Sequence, residues 1–246
     1  MYKKAKLRCF NFRKKILDLS QNVSALHIGG SFSSVEMIDA IYNIIKRKKD
    51  KFILSKGHVG ILQYVVLNYL NILSEKQLSS YCQAGGILGV HPEIKYPGIE
   101  ASTGSLGHGL GMACGMALAS RDTNIYLISS DGELMEGSVW ESVLSISSLN
   151  LKNIIYLIDN NDLQSATRAS ETHRPLYPIH KKFQSFGWES ETCNGHSSQE
   201  IVEKIKSRQN EKPYALICKT IKGYPISFMK NVPYWHYRSP NESEYK

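Results

Sequence analysis

The residues best placed to do chemistry are an Asp and an Asn, each closing an apolar run. Ile125 to Ile128 ends in Ser129-Ser130-Asp131-Gly132, a turn with an acid at its tip, and Ile154 to Ile158 ends in Asp159-Asn160-Asn161. Both runs are expected to be buried strands. Between them, Glu133 to Leu149 carries Val139, Val143, Ile146 and Leu149 at spacings of three and four, which predicts a helix. Asn150 is its expected stop, because Asn tolerates the left-handed conformation. Strand, acid, helix, strand, amide is a βαβ unit, and its right-handed crossover puts both strand ends on one edge of the sheet. Ligands of open α/β sheets bind outside that carboxyl edge. Topology thus brings Asp131 and Asn161 together. A carboxylate and an amide carbonyl are oxygen donors that suit a hard cation, and Mg²⁺ commonly completes its shell with phosphate oxygens and water. The expected helix N-terminus after Gly132 would offer free N–H groups to such a phosphate. The same pattern also suits an ordinary βαβ unit whose strands simply end in acids.

Other elements carry histidines and glycines toward the same edge. Ala25-Leu26-His27-Ile28-Gly29-Gly30-Ser31-Phe32-Ser33-Ser34 is expected to be a flexible loop where backbone can approach a ligand. Ser33 or Ser34 should cap the next helix, which has Glu36 in its first turn and Val35, Ile38, Ile41, Tyr42 and Ile45 as its stripe. Phe52 to Ser55 is a short strand with Lys56-Gly57-His58 at its carboxyl end, where a His can meet an anion. A helix follows from near Val59. Ser74 should cap a helix reaching Gln83, broken by Ala84-Gly85-Gly86. His91 lies in Gly89-Val90-His91-Pro92-Glu93, where Pro92 restricts the loop. Ala101 to Gly109 is Gly-rich and precedes a helix of small residues, Leu110 to Ala119. Gly107, Gly111 and Gly115 strip one face of that helix, so it calls for close packing on another helix or a neighbouring chain.

The rest of the chain fills in the layers. Tyr2 to Gln21 is an amphipathic helix with Leu7, Phe10, Ile16, Leu17 and Leu19 on or near one face. Residues 163 to 182 look irregular and polar, Ile201 to Ser207 helical, and Tyr214 to Cys218 a final strand. Strands alternating with helices predict an α/β fold: one domain over residues 1–246, with a mostly parallel sheet and helices on both faces.

Composition narrows the class. The formal charge of +8 collects in Lys3 to Lys15 and Lys46 to Lys51, runs that fit solvated helix faces, so neither nucleic acid nor membrane is expected as a partner. Five cysteines without a CxxC pattern point to reduced thiols and a cytoplasmic protein. The longest apolar stretch, Ile61 to Leu73, is interrupted by Gln63, Asn68 and Asn71 and is too short and too polar to span a bilayer.

At this level of detail the chain resembles a known family. Asp131-Gly132-Glu133-Leu134, Glu136-Gly137, Trp140-Glu141 and Asp159-Asn160-Asn161 are similar to the thiamine-diphosphate motif of transketolases, with Ser130 where that motif has its first Gly. Further segments follow in the family's order. The loop at His27 resembles the segment of the first active-site His, and Ser55-Lys56-Gly57-His58 the diphosphate-contacting His. Gly89 to Pro92 resembles the Gly-His-Pro segment that binds the sugar donor. Thr103-Gly104-Ser105-Leu106-Gly107 resembles the loop along the cofactor, with His108 in place of the usual Gln. Phe183 to Trp188, Gly195-His196 (after Asn194 in place of Asp), Thr220 to Gly223 and Trp235-His236 complete the likeness, which covers about residues 8 to 240.

The resemblance implies thiamine diphosphate and Mg²⁺ (with Ca²⁺ or Mn²⁺ as substitutes). It implies Asp131, Asn161 and the Leu163 carbonyl as metal ligands. His58, Gly104, Ser105, Leu106, Gly132, Glu133, Asn161 and His236 would contact the cofactor, and His27, His91 and His236 would handle protons and substrate hydroxyls. Full transketolases continue with a pyrimidine-binding domain and a third domain that this sequence does not contain. The implied protein is the N-terminal subunit of a split transketolase, active only with a partner in a complex of two copies of each, moving a two-carbon ketol unit from a ketose phosphate to an aldehyde. Alternatives are a thiamine-diphosphate-dependent carbon–carbon ligase of unusual-sugar metabolism with a different donor, and a silent structural or regulatory partner with the same fold.

Overall fold

In the computed structural model, which describes residues 2–246, five parallel strands build the central sheet. They are β1 (Lys51–Leu54), β2 (Ile125–Ser130), β3 (Ile154–Asn160), β6 (Glu189–Asn194) and β7 (Tyr214–Lys219), in the order β1-β2-β3-β7-β6. A two-stranded antiparallel ribbon, β4 (Leu163–Gln164) and β5 (Thr167–Arg168), stands apart from the sheet. The interior strands are apolar along their length because helices cover both faces. Alternate residues feed two separate cores. Phe52, Leu54, Tyr126, Ile128, Ile155 and Leu157 belong to one, and Ile53, Ile125, Leu127, Ile154, Tyr156 and Ile158 to the other. The helices in chain order are α1 (Tyr2–Ser20), α2 (Ile28–Ser33), α3 (Val35–Ala40), α4 (Gly60–Tyr69), α5 (Glu75–Ser79), α6 (Gly109–Ala119), α7 (Gly137–Ser148), α8 (Ala169–Thr172), α9 (Ile179–Ser185), α10 (Ser198–Ser207) and α11 (Glu242–Tyr245). The expected α/β fold with helices on both faces is what the chain forms. No helix among the described residues is long and apolar enough to cross a membrane.

Several local expectations change. The helix expected from Glu133 begins instead at Gly137. Gly132–Met135 is a 3₁₀ turn and Glu136 is extended, so no long helix points its N-terminus at Gly132. The expected stop holds: Asn150 has φ of 46°. In α1, Leu7 and Phe10 face solvent, and Cys9, Phe12, Ile16 and Leu19 form the buried stripe. The expected flexible loop at His27 is the short buried helix α2, whose Gly29 admits the Lys222 side chain: a Cβ there would lie 3.0 Å from Lys222 Cγ. Ser33 and Ser34 do not cap α3, because both hydroxyls turn inward to Asp159. The stripe to Ile45 ends in a π turn, Ile41–Ile45. Ser74 does cap, in a reciprocal box with Gln77, but α5 stops at Ser79, short of Gln83. Residues 163 to 182 hold the β4–β5 ribbon and two short helical pieces before α9. Strand β6 has no apolar run. It is a polar edge strand, paired on β7 alone.

The small-residue face of α6 is packed at one end and open at the other. A Cβ on Gly107, just before α6, would meet Ser138 Oγ at 2.5 Å and Glu136 Cβ at 2.7 Å, one on Gly111 would lie 3.5 Å from Ser142 Oγ, and one on Gly115 would meet nothing within 4 Å among the described residues. Gly109, on the other side of the helix, lies against Ser55 Oγ, which a Cβ would approach to 2.1 Å.

Candidate active site

Because the sheet is parallel, the carboxyl ends of β1, β2, β3 and β7 lie on one edge. A cavity of about 520 Å³ opens there. Its lining includes His27, His58, His91, His236, Gly104, Leu106, Gly132, Asn161 and Leu163, all expected from the sequence, together with Lys56 and Lys222.

The histidines form a cluster. The His27 ring centroid lies 4.8 Å from His58 and 5.1 Å from His236, and Tyr237 packs on His27 at 4.6 Å. Burial, then the neighbouring His236 and Lys222, lowers His27 to about 4. Burial and Lys222 lower His236 to about 4, and burial with Lys56 holds His58 well below its ordinary value. Near neutrality these rings are uncharged, so each has one N–H donor and one lone pair. Lys222 donates to His236 Nδ1 at 2.9 Å, which leaves the proton of neutral His236 on Nε2. His27 Nδ1 is buried without a partner among the described residues. His91 sits at the mouth, its ring 3.1 Å from where a Cβ on Gly104 would be.

The Gly-rich loop is tied down at both ends. Thr103 Oγ1 donates to the Leu54 carbonyl at 2.8 Å, and Gly107 N–H donates to Glu133 Oε1 at 2.9 Å. Glu133 Oε1 also accepts from Ser55 Oγ. The Glu133 side chain is therefore a buried latch between β1, the 3₁₀ turn and the loop, and it does not line the cavity; burial raises its carboxyl to about 6. Ser105 is exposed and outside the lining, while Leu106 and Gly104 face it.

The expected metal ligands sit at the ends of β2 and β3. Asp131 is fully buried. Its Oδ1 accepts from Gly132 N–H at 2.9 Å, and its Oδ2 from Asn160 Nδ2 at 2.8 Å and Asp162 N–H at 2.6 Å. Burial, then Asp159, raises its carboxyl to about 6. Asn161 donates from Nδ2 to Asp159 Oδ2 at 3.0 Å and accepts at Oδ1 from Leu163 N–H at 3.0 Å. The Leu163 carbonyl accepts from Lys222 Nζ at 3.2 Å. Ser130 ends strand β2 with ordinary extended backbone and lines the cavity, so a side chain is accommodated where the motif has Gly.

Asp159 organises this corner. Its Oδ2 accepts from Lys56 Nζ at 2.6 Å, Ser33 Oγ at 2.6 Å, Ser34 Oγ at 3.2 Å and Asn161 Nδ2, and its Oδ1 from Thr220 Oγ1. A carboxylate only accepts, so the Asn161 amide must turn its NH₂ toward Asp159 and its oxygen away.

Sequence reasoning missed Lys56 and Lys222 as site residues. Each lies two or three residues past a strand end, in Ser55-Lys56-Gly57-His58 and Thr220-Ile221-Lys222-Gly223, and that position is the signal that could have found them. The donor set fits a diphosphate held by a hard cation. It offers carboxylate, amide and main-chain oxygens for the metal, the buried Lys222 ammonium for the anion (Lys56 being held by Gly30, Ser34 and Asp159), and a His27 Nδ1 with no partner among the described residues for a polar ligand atom.

These features define a parallel α/β domain with a polar site at its carboxyl edge, and comparison with known proteins gives the family. Residues 16–238 match the family model described as transketolase, thiamine diphosphate binding domain. The chain is 33% identical to one of the subunits of the apulose-4-phosphate transketolase of Phocaeicola vulgatus, over 95% of this chain and 88% of that protein. It is 36% identical to the subunit of the same name from Actinobacillus succinogenes, over 94% and 90%. It is 32% identical to the 6-deoxy-6-sulfo-D-fructose transketolase subunit SqwG of a Clostridium species, over 88% and 84%. Among solved structures, a Pichia stipitis transketolase variant superposes with a TM-score of 0.91 at 23% identity, which shows the fold. That match covers 98% of this chain but 40% of the Pichia protein. The chain belongs to the transketolase family of transferases, as its thiamine-diphosphate-binding domain.

Proposed function

We propose that this chain is the diphosphate-binding subunit of a two-subunit, Mg²⁺-dependent transketolase that transfers a two-carbon ketol unit from a ketose phosphate to an aldehyde. The observation that carries this reading is the convergence, at one sheet edge, of the uncharged rings of His27, His58 and His236, the ammonium of Lys222 and the oxygens of Asn161 and Leu163, with Asp131 directly behind. Asp131, Asn161 and the Leu163 carbonyl would hold the metal, and His58, Lys222 and the N–H groups of the Gly104–Leu106 and Gly132 turns would hold the diphosphate. When bound, thiamine diphosphate supplies the electron sink that lets a carbon–carbon bond break. The chain's own residues do the rest. His27 and His236 are neutral and can pass a proton to and from substrate oxygens, and His91 at the mouth meets the donor's hydroxyls.

Relatives of nearly the same length are each named as one subunit of a transketolase, which supports a separate partner subunit. In this reading the partner carries the remaining domains, and the complex holds two copies of each chain. They are also named for different sugars, so the donor is to be found by profiling ketose phosphates. The test is calorimetric titration with thiamine diphosphate and Mg²⁺ of the chain mixed with its partner, beside a transfer assay. Wild type should bind and turn over only with the partner present, and Asp131→Ala should lose both by orders of magnitude while keeping its fold. Unchanged cofactor affinity in Asp131→Ala, or robust turnover by the chain alone, would overturn the reading.

A further inference from the structure

Lys222 reaches the cavity from a tight turn, and that turn is gripped by a buried ionic cluster that does not itself line the cavity. Arg13 on α1 forms a two-pronged pair with Glu36 on α3, Nη1 to Oε1 and Nη2 to Oε2, both at 2.7 Å. The same guanidinium donates from Nη2 to the Phe32 carbonyl at 2.9 Å and from Nε to the Tyr224 carbonyl at 3.1 Å. His196, just after β6, places Nδ1 3.5 Å from Glu36 Oε2 and accepts at Nε2 from the Ile221 N–H at 2.8 Å. Its ring stacks on Tyr224 at 4.0 Å. The residues on either side of the Lys222-Gly223 pair are thus each held by one member of the cluster.

The geometry points to His196 as a positioning residue that, backed by Arg13 and Glu36, fixes the turn carrying Lys222 and so sets where the Lys222 ammonium stands in the cavity. The donor logic is strict. A main-chain N–H can only donate, so His196 Nε2 must present a lone pair, and the proton of the neutral ring must lie on Nδ1, toward Glu36. Glu36 keeps that tautomer, and Arg13 keeps Glu36 ionised and in place. Without the Nε2 acceptor, the Ile221 N–H loses its partner and the turn loses one of its two holds. The remaining ties, Gly223 N–H to Gly29 O at 3.1 Å and Asn231 N–H to Lys222 O at 3.0 Å, fix the turn's far side. The consequence for cofactor binding rests on the function proposed above, whereas the clamp itself does not.

The test compares His196→Phe, which keeps a ring on Tyr224 but has no acceptor, with His196→Gln, whose side-chain oxygen can take the Ile221 N–H. Two readouts on the full chain without cofactor decide: hydrogen exchange at the Ile221 amide, and the rate at which acetic anhydride acetylates Lys222, followed by peptide mass spectrometry. Loss of the hydrogen bond to this partly exposed amide predicts that both rates rise about fivefold in His196→Phe. His196→Gln should stay within about twofold of wild type on both. Equal behaviour of the two variants, or a His196→Phe variant with wild-type exchange and acetylation, would overturn the clamp. A third readout needs no variant. Long-range proton–nitrogen NMR of wild type should show the His196 proton on Nδ1, and finding it on Nε2 would refute the proposal. Because these readouts exclude the cofactor, a failure of the clamp and a failure of the cofactor reading are separately visible.

Discussion

Asp159→Asn should be among the most damaging single changes in this protein, though Asp159 does not line the cavity. The carboxylate is fully buried and paired with Lys56, itself 1% exposed, at 2.6 Å. Three hydroxyls and the Asn161 amide complete its shell. Removing the charge leaves Lys56 as an uncompensated buried cation, a situation that costs about 3–5 kcal/mol. An Asn at this position must also turn its NH₂ toward at least one of the donors, and an unmade buried hydrogen bond costs about 1–3 kcal/mol. The two terms share partners and do not add, so a total of about 4 kcal/mol is expected. Against a stability of about 5–15 kcal/mol this is a large fraction. For a chain of this size it corresponds to a melting point lower by about 8–16 °C.

The assay is urea unfolding near neutral pH, followed by far-ultraviolet circular dichroism, on wild type, Asp159→Asn, Lys56→Met and the double variant. Burial alone would raise the Asp159 carboxyl, but the charge and hydrogen bond of Lys56 and the hydroxyls outweigh it, and the net shift is downward. Stability from a carboxyl lowered on folding is complete above its unfolded value and is lost as pH falls through the folded one, so neutral pH reads the full contribution. The double variant should be less damaged than the sum of the singles, because Lys56→Met removes the stranded cation. A loss below about 1 kcal/mol in Asp159→Asn, or strict additivity in the cycle, would refute the hub.

Two further outcomes follow from the same geometry. His27 and His236 protonate at about 4 in the folded chain but near the ordinary 6.5 when unfolded; the unfolded chain then binds more protons, so urea midpoints should fall from about pH 7 to about pH 5, and His27→Asn should flatten that slope. Gly107→Ala should destabilise by about 1–3 kcal/mol and weaken cofactor binding, since Gly107 has φ of 86° and its new Cβ would press on Ser138 and Glu136; a melting point within about a degree of wild type would contradict this.

The parts of the fold that could be read from the chain are those where one physical signal dominates. Ile125 to Ile128 and Ile154 to Ile158 are unbroken apolar runs because both faces of a central parallel strand are covered, and their burial needs no other information. Ser74 with Gln77 three residues on is a local cap and forms as its sequence suggests. Strand β6, Glu189-Ser190-Glu191-Thr192-Cys193-Asn194, was invisible for the opposite reason. Its order comes from pairing on β7 and from Glu191 holding Lys204 and Tyr214, contacts that lie in the tertiary structure alone. Ser33 and Ser34 have the right type for caps, but a buried carboxylate outcompetes the helix end for their hydroxyls. The strand-end residues His58, Gly132 and Asn161 were legible because a parallel sheet sends every strand end to one edge. Lys56 was hidden because a Lys beside a Gly and a His looks like any solvated cation until its partner, 103 positions away, is known.

Two acids end the central strands, and in the sequence nothing separates Asp159 from Asp131 except the motif that surrounds them. The structure separates them by what faces each. Asp159 already has a cation in Lys56 and five donors in all, so its charge is balanced inside the protein and its carboxyl titrates below the ordinary range. Asp131 pairs with no Lys, Arg or His among the described residues. It accepts only from an amide side chain and two main-chain N–H groups, and burial beside Asp159 drives its carboxyl up to about 6. A buried carboxylate in that position is a charge still to be compensated, and a divalent cation at the cavity edge would supply the compensation. The same pair of observations explains why Asp159 and Lys56 must be kept together. Were Lys56 free to swing toward Asp131, it would neutralise the carboxylate that the proposed metal site needs. Its burial among Ser34, Gly30 and Asp159 keeps it away. The division of labour between the two strand ends, one sealed by a lysine and one left without a cation, is what would suit an ordinary βαβ edge to the proposed cation and its phosphates.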